Sequence, residues 1–356
     1  MNSPLMSGVV VAFSGLLLFF QGASAATKIA ARDVGRQASS LPEFKTSPHV
    51  VESEGNQISG VVRTILQDRK GDLWFGTHNG LQRYDGTSLV HYDLRDELGK
   101  GLTARAIDED GAGHVWIGTS NGLFVYDGEF FTQYTVDDGL SSNDVWSVTV
   151  DSSGTVWAGT FEGACRLAGD TFTAFPIPPA TKRDDNKGVW GPNVVWSMTE
   201  DRAGNLWFEA ESGLYKYVGG VLSRETVEDQ GIEASVNSVC EDKSVHTWFS
   251  PHSTGLIRFN RETFTNATRQ AGLNCTRTGP LCEDRAGNIW LGVPNVGVYR
   301  FDGTSFTLFD ANDGLATSFA FCIAEDNAGR IWCGGQKGAY RFDGTSFVNV
   351  TRNGPW

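Results

Sequence analysis

Seven tryptophans recur almost periodically along the chain: Trp74, Trp116, Trp157, Trp207, Trp248, Trp290 and Trp332 stand 42, 41, 50, 41, 42 and 42 residues apart. A near-constant period of this size marks a chain built from like units that bury their apolar faces against one another. The text around each tryptophan agrees as well. The first copy reads Asp68-x-x-Gly71-x-Leu73-Trp74-Phe75-Gly76-Thr77-x-x-Gly80-Leu81-x-Arg83-Tyr84-Asp85-Gly86, and the last keeps Asp326-x-x-Gly329-x-Ile331-Trp332 and Tyr340-Arg341-Phe342-Asp343-Gly344. Within the first unit, residues 61–67, 72–76, 81–84 and 88–92 are rich in β-formers and separated by turn residues. Four short strands per unit, repeated radially, predict an all-β fold: a seven-bladed β-propeller with four antiparallel strands per blade. The tryptophan falls on the second strand and is expected to lie between neighbouring blades. Because every blade has one, it belongs to the scaffold and marks no particular site.

Where the seven copies disagree, a position is free for other work. Three residues before the Asp of each first turn stand Ile65, Ile107, Val148, Met198, Val239, Leu281 and Ile323, an apolar ring that must be core. Five residues before it stand Arg63, Arg105, Trp146, Trp196, Asn237, Gly279 and Phe321, which no packing rule would choose. If the first strand is innermost, these seven surround the mouth of the central channel. Loops between second and third strands should reach the same face, with His78, Phe161, Glu162, Glu209, Glu211, His252 and Lys337. The long 50-residue interval comes from an insertion over residues 176–192 that carries Trp190, and lengthened loops on a rigid scaffold often carry function.

The ends of the chain read differently. The first 25 residues carry no charge and include the apolar run from Val9 to Phe20, followed by Ala23-Ser24-Ala25. They read as a signal peptide cleaved after Ala25, with an uncleaved anchor as the alternative because no Lys or Arg precedes the run. Residues 26–60 read as an N-terminal extension supplying one extra outer strand, pairing outside the last blade. Residues 61–350 are the propeller and residues 351–356 a C-terminal tail. The chain is therefore expected to be exported, periplasmic or extracellular, with no membrane span after signal cleavage. Its 29 basic against 42 acidic residues give a net charge of −13, which repels phosphate backbones, so no nucleic-acid partner is expected.

The repeat text, together with Asp138-Gly139-Leu140 and Asn143 in one connection and Asp313-Gly314-Leu315 in another, resembles the two-component regulator propeller repeats over about residues 61–350. The resemblance implies a seven-bladed recognition domain, like the extracytoplasmic sensors of hybrid two-component systems that perceive oligosaccharides or related nutrients. It does not imply kinase activity, and the 356 residues show no histidine-kinase or receiver text. The fourth and fifth units depart from the pattern, with Phe208-Glu209-Ala210 and Phe249-Ser250-Pro251 in place of Phe-Gly-Thr. The run Gly204-Asn205-Leu206-Trp207-Phe208 is also similar to text in the seven-bladed streptogramin lyases. That resemblance implies an alternative, an enzyme using a divalent cation with His78, His252, Glu209 and Glu211 on one face.

The six cysteines show no Cys-x-x-Cys spacing, so no metal site is read from them; Cys275 with Cys322 is the expected disulfide, and the rest are buried thiols. The acidic runs Asp108-Glu109-Asp110 and 310–314 recur as turns and do not fit a calcium loop. No cofactor and no catalytic residue is assigned. The expected ligand-binding set is Arg63, Arg105, Trp146, Trp190, Trp196, Asn237, Phe321, His78, Glu209, Glu211, His252 and Lys337, facing an oligosaccharide, another small ligand, or an envelope protein. A docking module for a membrane sensor is the third reading.

Overall fold

The computed structural model describes residues 27–30, 56–96, 98–179, 191, 193–225, 236–251, 254–275 and 277–356. Seven sheets follow one another along the chain, each with four antiparallel strands in sequence order. The first strands are Val62–Gln67, Ala104–Glu109, Val145–Val150, Val195–Glu200, Val236–Glu241, Leu281–Glu283 and Ala320–Glu325. The sevenfold propeller expected from the tryptophan period is the observed fold. Helix among the described residues amounts to three single turns.

The turn opened by an Asp, closed by Gly in six units and by Val245 at positive φ in the fifth, explains why each unit folds the same way. Asp68 accepts the backbone N–H groups of Lys70 and Asp72 with one carboxylate oxygen, while the other accepts the indole N–H of Trp74 at 2.8 Å. Gly71 supplies the positive φ that closes the turn. Every blade repeats the pair: Asp110 with Trp116, Asp151 with Trp157, Asp201 with Trp207, Asp242 with Trp248, Asp284 with Trp290 and Asp326 with Trp332, all at 2.8–3.1 Å. The indole is thus satisfied inside the core, as a buried N–H must be.

Each ring is at most 4% exposed and packs into the following blade. Trp157, for example, meets Phe208 and Tyr217 of the fourth blade. A second link joins the blades at the turn end. The residue closing one first strand accepts a turn N–H from the blade before it: Glu109 from Arg69, Glu200 from Ser152, Glu241 from Arg202, Glu283 from Lys243, Glu325 from Arg285 and Gln67 from Asn327. The acidic run at 108–110 is part of this lattice.

The seam between the seventh and first blades closes without strand exchange, since Phe347–Val350 is the seventh blade's own outer strand. In blades one, two, three and six an outer-strand aromatic backs the wedge: Tyr92 for Trp74, Tyr134 for Trp116, Phe175 for Trp157 and Phe309 for Trp290. The seventh blade has Val350 there, and Trp356 supplies the missing ring. It stacks on Tyr84 at 4.0 Å and 13° and reaches Phe75, while Trp332 meets Phe75 edge-on. Ile58, fully buried, joins the same cluster. The extra strand lies elsewhere than expected: Thr27–Ala30 pairs antiparallel with Phe130–Tyr134, outside the second blade. On the last blade the extension contributes the bridge from Gln57 to Thr351.

Glycine in the second strand is a matter of space. A Cβ on Gly118 would stand 2.9 Å from Val145 Cγ1, and one on Gly159 2.9 Å from the Val195 carbonyl, both on the next blade's first strand. In the fourth blade Glu209 occupies this position and is 0% exposed. Burial pushes its carboxyl up to about 8, the Ser197 side chain and Val239 backbone offsetting only part of that cost.

Trp332→Ala should cost roughly 3–5 kcal/mol in urea unfolding, and Trp356→Ala about 1.5–3 kcal/mol. Glu209 gives a pH signature. Its folded-state proton is held above the ordinary value of 4.5, so native stability should fall as pH rises from about 4.5 to about 8. Glu209→Gln should abolish that component. Parallel pH dependences in the two proteins, compared by chemical denaturation, would contradict it.

Candidate functional site

The first strands carry a recurrent irregularity at the channel mouth. Pairing with the second strand slips between Val62 and Thr64, between Ala104 and Ala106, between Val145 and Ser147, between Val195 and Ser197, between Val236 and Val239, and between Ala320 and Cys322. The skipped residues include Arg63, Arg105, Trp146, Trp196, Asn237 and Phe321. A bulged residue has no cross-strand partner and is re-aimed by the local kink. This accounts for the lack of packing logic at these positions: their side chains leave the sheet for the channel. All six, with Gly279 of the sixth blade, line one cavity of about 420 Å³. The apolar ring two residues further on is buried beneath, at 9% exposure or less.

The side chains touch one another around the mouth. Arg63 stacks on the Phe321 ring, its guanidinium carbon 4.5 Å from the centroid, and its Nε donates to His78 Nε2 at 3.0 Å. Arg105 lies 4.0 Å from the centroid of Trp146 and is ion-paired with Asp144, which also accepts the Trp146 indole N–H. Trp146 meets Trp196 edge to face at 5.0 Å and 79°, and the Trp196 indole donates to Glu211. The Asn237 amide donates to the Thr278 carbonyl. Burial, and then the charge of Arg105, lower Arg63 to about 10. Burial, Arg63 and Arg105 together lower His78 to about 4, so its imidazole is neutral at physiological pH and free to accept from Arg63.

The remaining candidates divide. His78 and Glu211 brace cavity residues without lining the cavity. Glu209 is not on the rim: its side chain points between blades four and five and is sealed there. Lys337 is exposed but sits in a turn whose N–H bonds to Gly60, outside the cavity wall. Trp190 and His252 lie outside the described residues. The expected Cys275 to Cys322 disulfide is absent: Cys275 Sγ donates to the Arg277 carbonyl, and Cys322 is half-buried in its strand, where desolvation pushes its thiol up to about 12. Asp310 and Asp313 are used up in a capping box around a single helical turn. Among the described residues no group of three His, Cys, Asp or Glu side chains could hold a metal ion.

Sequence reasoning missed three neighbours. Arg277 and Phe319 line the cavity, and Asp144 stands behind it. Each lies seven residues before the turn Asp, two before the irregular ring. The same counting, carried one step outward, would have found them.

Residues 56–79 and 139–162 match the family model described as two component regulator propeller, so the chain carries repeats of that kind. The matches cover two stretches, where resemblance was expected over 61–350. No curated protein matches the sequence. Among solved structures, the extracellular domain of a hybrid two-component system from B. thetaiotaomicron superposes with a TM-score of 0.63 at 23% identity, over 82% of this chain and 40% of that one. This chain thus spans less than half of that domain. Virginiamycin B lyase from Staphylococcus aureus, solved with quinupristin, gives 0.61 at 14% identity, over 80% of this chain and 95% of its own. PorZ of Porphyromonas gingivalis, a surface component of the type-IX secretion system, gives 0.59 at 15% identity, over 84% and 48%. At these identities the likeness is one of fold.

The His78 imidazole should titrate near pH 4 in an NMR titration of the folded protein. Arg63→Gln should raise that value part of the way toward 6.5, since burial persists when the charge is gone. An unchanged midpoint would show that the guanidinium does not act on the ring.

Proposed function

We propose that this propeller is an exported recognition module that binds an oligosaccharide at the mouth of its central channel and catalyses no reaction on it. The observation that carries the reading is the convergence of the six bulged residues on one cavity. Two indoles and a phenyl ring offer flat apolar faces for sugar rings, while Arg63, Arg105 and Asn237 offer hydrogen-bond donors. The cavity is of the size that holds a small ligand. Export is supported by the apolar run from Val9 to Phe20 with Ala23-Ser24-Ala25 after it. The two-component regulator propeller repeats support a sensory role.

A lyase-like activity has less in its favour. The Nε2 lone pair of His78 is already engaged by Arg63, and Glu209 is sealed between blades. Docking of an envelope protein on the same face is the outcome that would replace the glycan reading.

The test is a thermal-shift and calorimetric screen of oligosaccharides against the full chain, followed by Trp146→Ala with Trp196→Ala. Affinity for the best ligand should fall about tenfold or more, and Trp146→Phe with Trp196→Phe should recover part of it. Unchanged binding in the alanine pair, with melting preserved, would move the site elsewhere.

A further inference from the structure

The cavity wall contradicts the charge of the molecule. The chain carries 42 acidic against 29 basic residues, yet among the described residues Arg63, Arg105 and Arg277 line the mouth and no Asp, Glu or Lys does. Arg105 is balanced by Asp144 behind it. Neither Arg63 nor Arg277 has a carboxylate partner among the described residues. Arg63 instead spends its Nε on a neutral imidazole and lies against Phe321. Burial first, and then the charge of Arg105, lower its basicity to about 10. Holding a guanidinium half-buried beside a second one is costly, and an arriving anion relieves that cost. The planar fork of Arg suits a bidentate anion, and Phe321 fixes its plane.

We propose that the channel mouth takes an anionic sugar, its carboxylate or sulfate held by Arg63 with Arg277 and Arg105 around the same cavity, and its ring against the neighbouring aromatic side chains. The proposal rests on the glycan-binding reading above and adds the ligand's charge. The field of the Arg63 and Arg277 guanidiniums, neither paired with a carboxylate among the described residues, draws the anion in against the repulsion of the acidic surface, so binding weakens as salt rises.

The experiment is calorimetric titration of the full chain with paired probes: uronic-acid oligosaccharides against their methyl esters, and sulfated oligosaccharides against their desulfated counterparts. The charged member of at least one pair should bind about tenfold tighter or more than its neutral twin, and which pair shows it identifies the anion. The preference should shrink with added salt, vanish in Arg63→Gln with Arg277→Gln, and return in part with Arg63→Lys. Equal binding of charged and neutral twins, or a preference that survives in the double variant with melting preserved, would overturn the charge assignment while leaving glycan binding standing. Failure of every saccharide, charged or neutral, would remove the glycan reading itself and this one with it.

Discussion

The fold depends on one hydrogen bond repeated seven times, from the indole N–H of the wedge tryptophan to the carboxylate of an aspartate six residues earlier. A tryptophan brings the largest apolar surface of any side chain, but its N–H cannot be buried unpaired. Putting the acceptor in the tight turn just before it solves this within one unit. The same carboxylate also caps the turn, so the ring is positioned before any neighbouring blade is present. Burial alone would raise these carboxyls, but hydrogen bonds from the indole and the turn hold those of Asp151, Asp284 and Asp326 below the usual carboxylate range. The acceptors therefore stay ionised, and an ionised acceptor makes the stronger bond.

With the wedge supplied locally, the remaining task is closure of the ring. Six of the seven junctions use a residue at the end of a first strand to catch a turn N–H of the blade before it. The seam between the seventh and first blades carries the further cost of joining the two ends of the chain, and there Trp356 replaces the aromatic that the outer strand lacks. Blade four shows what happens when a unit departs from the rule of space. A glutamate where glycine lets the next strand pass close leaves an ionisable group with no route to water.

The functional reading rests on the bulges. In six of the seven blades a bulge frees a side chain from the sheet, and the rotation of the blades aims all six at one axis. The scaffold thus converts a local slip of register into a ring of variable residues on an invariant wall. Aromatic and cationic groups there brace one another, Arg63 on Phe321 and Arg105 on Trp146, so the site is preorganised.

The chain by itself determined the sheet content, the sevenfold repeat, the place of the wedge and the row of residues that escape packing, because each of these is a local pattern of turn, alternation and burial copied from unit to unit. Arg63, Trp146, Trp196 and Phe321 were legible by their disagreement with their counterparts alone. The tertiary structure decided which free positions meet. It drew Arg277 and Phe319 into the cavity, sent Glu209 inward between two blades, left Lys337 outside, kept Cys275 and Cys322 apart, and brought Trp356 back to the seam. Those outcomes depend on how closely the next blade approaches and on where the closing ring carries each loop, which are distances set by the whole assembly and written in no single repeat.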